Sequence, residues 1–286
     1  MKHNDKERTN TQEILQMLET RLSPPAGPPR QEVWQQLEKK IADTGKPVRR
    51  TIISRHVYLA VAAAFALLLA VGAVMRFYSV SYVSPPGEKL TVNLPGNSTV
   101  VLNADSKLSY RPLWWSISRE LTLTGEAWFS VAKGTPFTVR SKRGKTTVLG
   151  TKFNIYARDD DYVVACISGK VKVASRATSK SIVLNPSDEA EIAPDGNIIY
   201  RKNINMEPVV AWKHGLFIFT STPLKRVIEE IERRYNVHVV LKTAANARYT
   251  GSFPDSVDIY GALNFVCKPF GLNFAVDDKG VISIDK

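Results

Sequence analysis

Glu126 and Trp128 are the first residues in this chain whose types invite chemistry. They lie in GEAWFSVAKGTPFTV, residues 125–139. A carboxylate beside an aromatic platform could serve a carbohydrate site, but a glycosidase needs a second carboxylate across the cleft. Asp159, Asp160 and Asp161 are available. They follow Arg158 between two apolar segments and read as a solvated turn. A different chemistry is open to Gly150-Thr151, where a threonine hydroxyl could attack the preceding carbonyl in an N-to-O acyl shift if the turn is strained. The plain alternative, which the residues favour, is a strand residue after a permissive glycine.

Other reactive patterns are missing. His3, His56, His214 and His238 fall in no HExxH or paired-ligand spacing, and the chain has no GxSxG elbow, Walker A loop or GxGxxG turn. Cys166 and Cys267 each sit in an apolar run and read as buried free thiols. No cofactor or metal is implied, and outside the rival use of Glu126 the Gly150-Thr151 pair is the candidate for bond chemistry. The chain is expected not to be an enzyme.

The elements that carry these residues are strands. In ELTLTGEAWFSV, residues 120–131, Leu121, Leu123, Ala127, Phe129 and Val131 share one parity and one face. Glu126, Trp128 and Ser130 take the other face. GTPFTVRS, KTTVLGTKFNIYA, YVVACIS and KVKVAS continue the pattern between Gly, Lys or acidic turns. Short strands with frequent turns predict an all-β body, sandwich or solenoid-like, over residues 79–202.

Residues 57–75, VYLAVAAAFALLLAVGAVM, contain no charge. As a helix they would span roughly 28 Å, about a bilayer core. Tyr58 stands at one end and Phe77 and Tyr78 at the other, as interfacial aromatics do. Lys46, Arg49, Arg50 and Arg55 precede the span and Arg76 alone follows it closely. The positive-inside rule then places residues 1–55 in the cytosol and the β body beyond the membrane. The net charge of +12 first suggests nucleic acid or an anionic membrane. Residues 1–55 hold 11 Lys/Arg against 7 Asp/Glu, and the rest of the charge is dispersed. The juxtamembrane cluster has a topological role, so no direct nucleic-acid contact is expected.

The cytosolic end reads as two short helices. In NTQEILQMLETRL, residues 10–22, Asn10 and Glu13 form a capping-box pattern, and Ile14, Leu15, Leu18 and Leu22 make one stripe. The prolines of SPPAGPPR end it. In QEVWQQLEKKIAD, residues 31–43, Val33, Trp34, Leu37 and Ile41 repeat the stripe. So short a segment rarely buries enough surface to fold alone. A proline hinge between two apolar stripes suits folding into the groove of a protein partner.

Residues 215–286 predict a small α+β module in the order β-α-β-β-α-β-β, with two helices against a small sheet. STPLKRVIEEIERRY supplies the first helix, with a Ser or Thr cap, Pro223 in its first turn and Leu224, Val227, Ile228 and Ile231 on one face. NFAV and GVISI close a hairpin around Asp277–Gly280.

LPGNSTVVLNADSKLSY, LTGEAWFSVAKGTPFTVRS, VLGTKFNIYARDDD and ISGKVKV, in that order, resemble the periplasmic domain of the FecR family of membrane-anchored anti-sigma regulators. Where the family usually has Asp-Gly, this chain has Gly96-Asn97; both pairs favour a tight turn. The terminal module resembles the short N-terminal module of secretins and TonB-dependent receptors, and AWKHG at 211–215 precedes it, as in FecR-like proteins of Bacteroidetes type. The resemblance implies an inner-membrane, single-pass protein. Residues 1–55 would bind an extracytoplasmic-function sigma factor through the two stripes. Residues 57–75 would cross the membrane, 79–202 would form the periplasmic β domain, 203–214 a linker, and 215–286 a signalling module. The expected signal source is a TonB-dependent outer-membrane receptor. Release by a regulatory protease is also implied, and some regulators that resemble this chain are thought to self-cleave at a Gly-Thr dipeptide, for which Gly150-Thr151 is the candidate here. The rival reading is a membrane-tethered envelope protein that binds or hydrolyses carbohydrate through Glu126 and Trp128.

Overall fold

The computed structural model describes residues 13–18, 27–44, 55–243 and 246–286. Residues 13–18 are helical and exposed. Helix α1 (Arg30–Thr44) follows the prolines and buries none of its residues. Helix α2 (Arg55–Phe77) is 23 residues long, is apolar enough to cross a membrane, and has no buried residue. A helix this apolar with no buried residue is the form that a bilayer stabilises.

The β body contains β1 (Val80–Ser84), β2 (Leu90–Leu94), β3 (Ser98–Leu102), β4 (Ser106–Tyr110), β5 (Arg119–Ser130), β6 (Phe137–Arg140) and β7 (Gly144–Val148). It continues through β8 (Lys152–Ala157), β9 (Val163–Ser168), β10 (Val171–Ser175), β11 (Ser181–Leu184), β12 (Glu189–Ile192) and β13 (Ile198–Arg201). Two sheets share the long strand β5. One runs β1-β4-β5-β6-β7-β10-β11 and the other β2-β3-β5-β8-β9-β12-β13. Residues 119–124 of β5 pair with β4 and with β6, the latter in parallel. Residues 125–130 pair with β3 and β8.

The hand-over from one sheet to the other occurs at Gly125. Its φ is +102°, and a Cβ there would stand 2.6 Å from the Cα of Ser106. Only glycine permits both the backbone conformation and the approach. The inward parity survives the bend, so Leu121, Leu123, Ala127, Phe129 and Val131 are all buried. Phe129 stacks on Phe153 at 4.7 Å and meets Phe137 edge-on at 6.3 Å. Full burial of each such ring stabilises by roughly 1.5–3 kcal/mol. The turn between β2 and β3 has Gly96 at φ +80° and Asn97 at φ +58°. These left-handed positions explain why Gly-Asn works where Asp-Gly would also serve.

The C-terminal module has its own core. It contains β14 (Leu216–Pro223), α4 (Leu224–Tyr235), β15 (Val239–Leu241), β16 (Arg248–Pro254), α5 (Ile259–Cys267), β17 (Asn273–Val276) and β18 (Ile282–Asp285). A short helix, α3 (Glu207–Ala211), precedes it where the sequence suggested only a connection. Leu224, Val227, Ile228 and Ile231 are buried, as the spacing of α4 requires. Two expectations need correction. The strands form two sheets, β14-β16 and β15-β18-β17, and not one. The helix also has no Ser or Thr cap: Ser221 and Thr222 are drawn into β14, Pro223 holds the cap position, and the Leu224 N–H donates to the Ala247 carbonyl. Strand pairing competes for the same residues and satisfies the helix's first donor another way.

Cys166 lies in the β core and Cys267 in the module core. Both thiols are free, and burial pushes each up to about 11.

Candidate functional site

Glu126 does not face solvent. It is 7 % exposed, and its two carboxylate oxygens accept from Asn103 Nδ2 at 2.8 Å and Asn154 Nδ2 at 2.9 Å. Its neighbours on the outer face of the second sheet are covered by the C-terminal module. Between the two lies a cavity of about 540 Å³, lined by Asn103, Glu126, Tyr156, Trp212, Glu230 and Arg233 among others.

Helix α4 supplies the other wall. Its apolar stripe enters the module core, and Arg226, Glu230 and Arg233, at i, i+4 and i+7, form the stripe turned toward the β body. Arg233 pairs with Glu230 at 2.8 Å and reaches the Tyr156 hydroxyl at 3.4 Å. The Arg226 guanidinium lies over the Tyr156 ring at 4.4 Å and pairs with Asp161 at 2.9 Å. Arg158 is anchored by the carbonyls of Ala104 and Asp105, at 2.7 and 2.8 Å.

Two carboxylates therefore share one covered space, and their environments push them apart. Burial raises Glu126, the charge of Glu230 raises it further, and Arg158 and the two asparagines offset only part of this. Burial also pushes Glu230 upward, but Arg233 and Arg158 outweigh it and hold Glu230 below its usual range. Burial, followed by the Glu230 charge, pushes Tyr156 up to about 12.

Around this centre the module is fastened at several points. Lys89 Nζ donates to the Trp212 carbonyl at 2.8 Å and to Asp255 at 3.1 Å, and Arg234 reaches the same Asp255 oxygen at 3.1 Å. The Gly87 N–H donates to the Arg233 carbonyl at 2.8 Å, and the Gly87 carbonyl accepts from Arg234. The ammonium of Lys213 sits over Trp128, so this aromatic is a contact to the segment that leads into the module.

The arrangement suits a clasp better than a hydrolase. Glu126 is held by two amides, Glu230 by its arginine, and both are covered. The three aspartates are dispersed: Asp160 is exposed and paired with Arg143 at 2.9 Å, while Asp161 serves the clasp. Among the described residues no group of three or more His, Cys, Asp or Glu side chains could hold a metal. Sequence reasoning missed Glu230, Arg226 and Arg233, because a charged stripe on a helix ordinarily faces water. Its one signal was the three-and-four spacing of those charges.

The other candidate residues lie elsewhere. Ile14, Leu15 and Leu18 are helical and exposed, and Leu22 and Asn10 fall outside the described residues. Val33, Trp34, Leu37 and Ile41 lie on α1, with Trp34 and Ile41 each 63 % exposed. Gly150-Thr151 immediately precedes β8. The Thr151 N–H and carbonyl pair with Val131, and its hydroxyl donates to the Lys170 carbonyl at 3.1 Å.

Comparison with known proteins agrees with this layout. Residues 80–172 match the family model described as FecR protein, and residues 216–283 match that described as FecR, C-terminal. Two crystal structures of a candidate anti-sigma factor from Parabacteroides distasonis, at 2.50 and 1.65 Å resolution, are similar to this chain. Each is 27 % identical with a TM-score of 0.67; 73 % and 72 % of this chain is covered, and 99 % of each of theirs. No curated protein matches the chain. The two family matches fall, in order, on the β body and on the α+β module that clasps it, and the chain belongs to the FecR family of anti-sigma regulators.

Proposed function

We propose that this protein is a single-pass inner-membrane anti-sigma factor with its N-terminus in the cytosol. Residues 1–55 bind an extracytoplasmic-function sigma factor, and the apolar stripes of residues 14–22 and of α1 fill grooves on it. The observation that carries this reading is α1 itself: Val33, Trp34, Leu37 and Ile41 form one apolar face on a helix with no buried residue. Such a face is stabilised only when a partner covers it.

The β body and the module receive a signal from a TonB-dependent outer-membrane receptor and pass it to the membrane span. Support comes from family membership and from the clasp, whose charged, cavity-containing contact can be loosened without unfolding either core. A lone helix transmits bending poorly, so release of the cytosolic segment by a protease completes the relay.

The test is cross-linking and purification of the full chain from its own cells, followed by mass spectrometry. Recovery of a sigma factor from wild type, and its loss from a Trp34→Ala/Leu37→Ala variant, is expected. A sigma factor recovered equally from both would reject the stripe as its site. Capture of a TonB-dependent receptor that depends on residues 215–286 is the expected result for the outer arm.

A further inference from the structure

Residues 111–118, RPLWWSIS, join β4 to β5 and are used neither by the clasp nor by the cytosolic stripe. The two tryptophans point to different environments. Trp115 is 6 % exposed, meets Tyr110 and Phe137 edge-on, and donates from Nε1 to the Pro95 carbonyl at 3.0 Å. It pins the loop to the β core. Trp114 instead lies under Arg76, the penultimate residue of α2, with the guanidinium 5.7 Å from its ring. Arg111 reaches the Arg76 carbonyl at 3.4 Å. The loop is therefore held level with the last turn of the apolar helix.

At that level the loop presents Leu113 and Ile117 to solvent, and Ile117 is 65 % exposed. Phe77 and Tyr78, at the end of α2 next to Arg76, are also exposed. Single exposed aliphatics are ordinary. Here they share one loop with Trp114 and Arg111, and that loop lies against Arg76 at the end of a helix of membrane-spanning length. Aromatic rings, short aliphatic insertions and cations are the groups that the boundary between headgroups and acyl chains accepts.

We infer that the 111–118 loop docks on the bilayer and seats the β body on the membrane surface. Trp114, Leu113 and Ile117 enter the boundary layer, and Arg76 and Arg111 meet anionic headgroups. This rests on the reading that α2 crosses the membrane. The β body is then not a free bead on a tether, and the helix end is coupled directly to β4 and β5.

The test uses the full chain in phosphatidylethanolamine–phosphatidylglycerol vesicles, with one environment-sensitive fluorophore on Ile117→Cys, Val183→Cys or Leu68→Cys. All three positions are exposed, and both native cysteines are buried and protected from labelling. The quencher is a nitroxide carried on the lipid acyl chain. The label at 117 should be quenched about two-fold or more beyond that at 183, on the far edge strand β11. Quenching at 68 with none at 117 above the 183 level would overturn the docking and leave the span intact. No quenching at 68 would overturn the span, and the docking with it.

Discussion

The Lys213 ammonium lies 3.5 Å from the centre of the Trp128 ring. That contact ties the segment entering the C-terminal module to the outer face of β5, beside the buried Glu126. Replacing Lys213 with alanine should cost about 0.5–2 kcal/mol of docking. Asp255→Asn, which weakens the contacts of both Lys89 and Arg234, should cost about 1–3 kcal/mol. Limited proteolysis within residues 203–215 reads both effects: cleavage should accelerate while fragments of each core persist. Unchanged cleavage in both variants would show that the clasp does not hold the module.

The clasp also predicts a pH dependence. Glu126 is raised by burial and then by Glu230, so its contribution is full below the ordinary carboxylate range and is lost as pH rises through its raised value. Glu230 runs oppositely. Its lowered value means that its contribution is present above the ordinary range and lost as pH falls. Glu126→Gln removes only the first effect. The buried Asn154 Oδ1 has no partner and, after an amide flip, could accept from the new side chain. The variant should be at least as stable as the parent at neutral pH, and the two should converge in acid. Thermal melts across pH check this; a variant less stable at neutral pH and equal in acid would mean that Glu126 works as a carboxylate.

Gly125 makes the shared strand possible. Gly125→Ala combines a φ of +102° with a Cβ placed against Ser106, and should destabilise the β body by about 2–4 kcal/mol. Denaturant unfolding of the purified chain measures it. A loss below about 1 kcal/mol would mean that the strand can bend without glycine.

On the cytosolic side, Trp34→Ala should weaken sigma-factor binding by at least about 1 kcal/mol, roughly five-fold in Kd, if it anchors the interface. Leu18→Ala should do likewise through the preceding helix. Titration with the purified sigma factor reads both, and unchanged affinity for the two would remove the groove model.

Self-cleavage has a simple readout. The Thr151 hydroxyl donates to Lys170 and its backbone is paired on both sides with Val131, the arrangement of a plain strand residue. The purified chain should run as one band on a denaturing gel. A fragment beginning at Thr151, abolished in Thr151→Val, would establish the acyl shift instead.

Much of this was legible along the chain. The parity of residues 121–131, the buried face of α4 and the uncharged stretch at 57–75 are local patterns, because strand and helix periods are properties of the backbone. Gly96-Asn97 announced its turn for the same reason. The cap of α4 was misread because Ser221 and Thr222 were wanted by a strand partner 27 residues onward in sequence, Tyr249 opposite Thr222. The two-sheet form of the module depends on pairing of the same long-range kind.

By itself the sequence determined the order of the main elements other than α3, their inward faces, the apolar span and the stripe of α1. Tertiary structure alone decided the fate of the polar faces. Glu126 and Glu230 lie 104 positions apart, and nothing near either one forecasts the other. Apolar residues must leave water whatever lies opposite them, so their faces can be read locally. A buried charge survives only opposite a partner, and which partner it meets is settled when the domains dock.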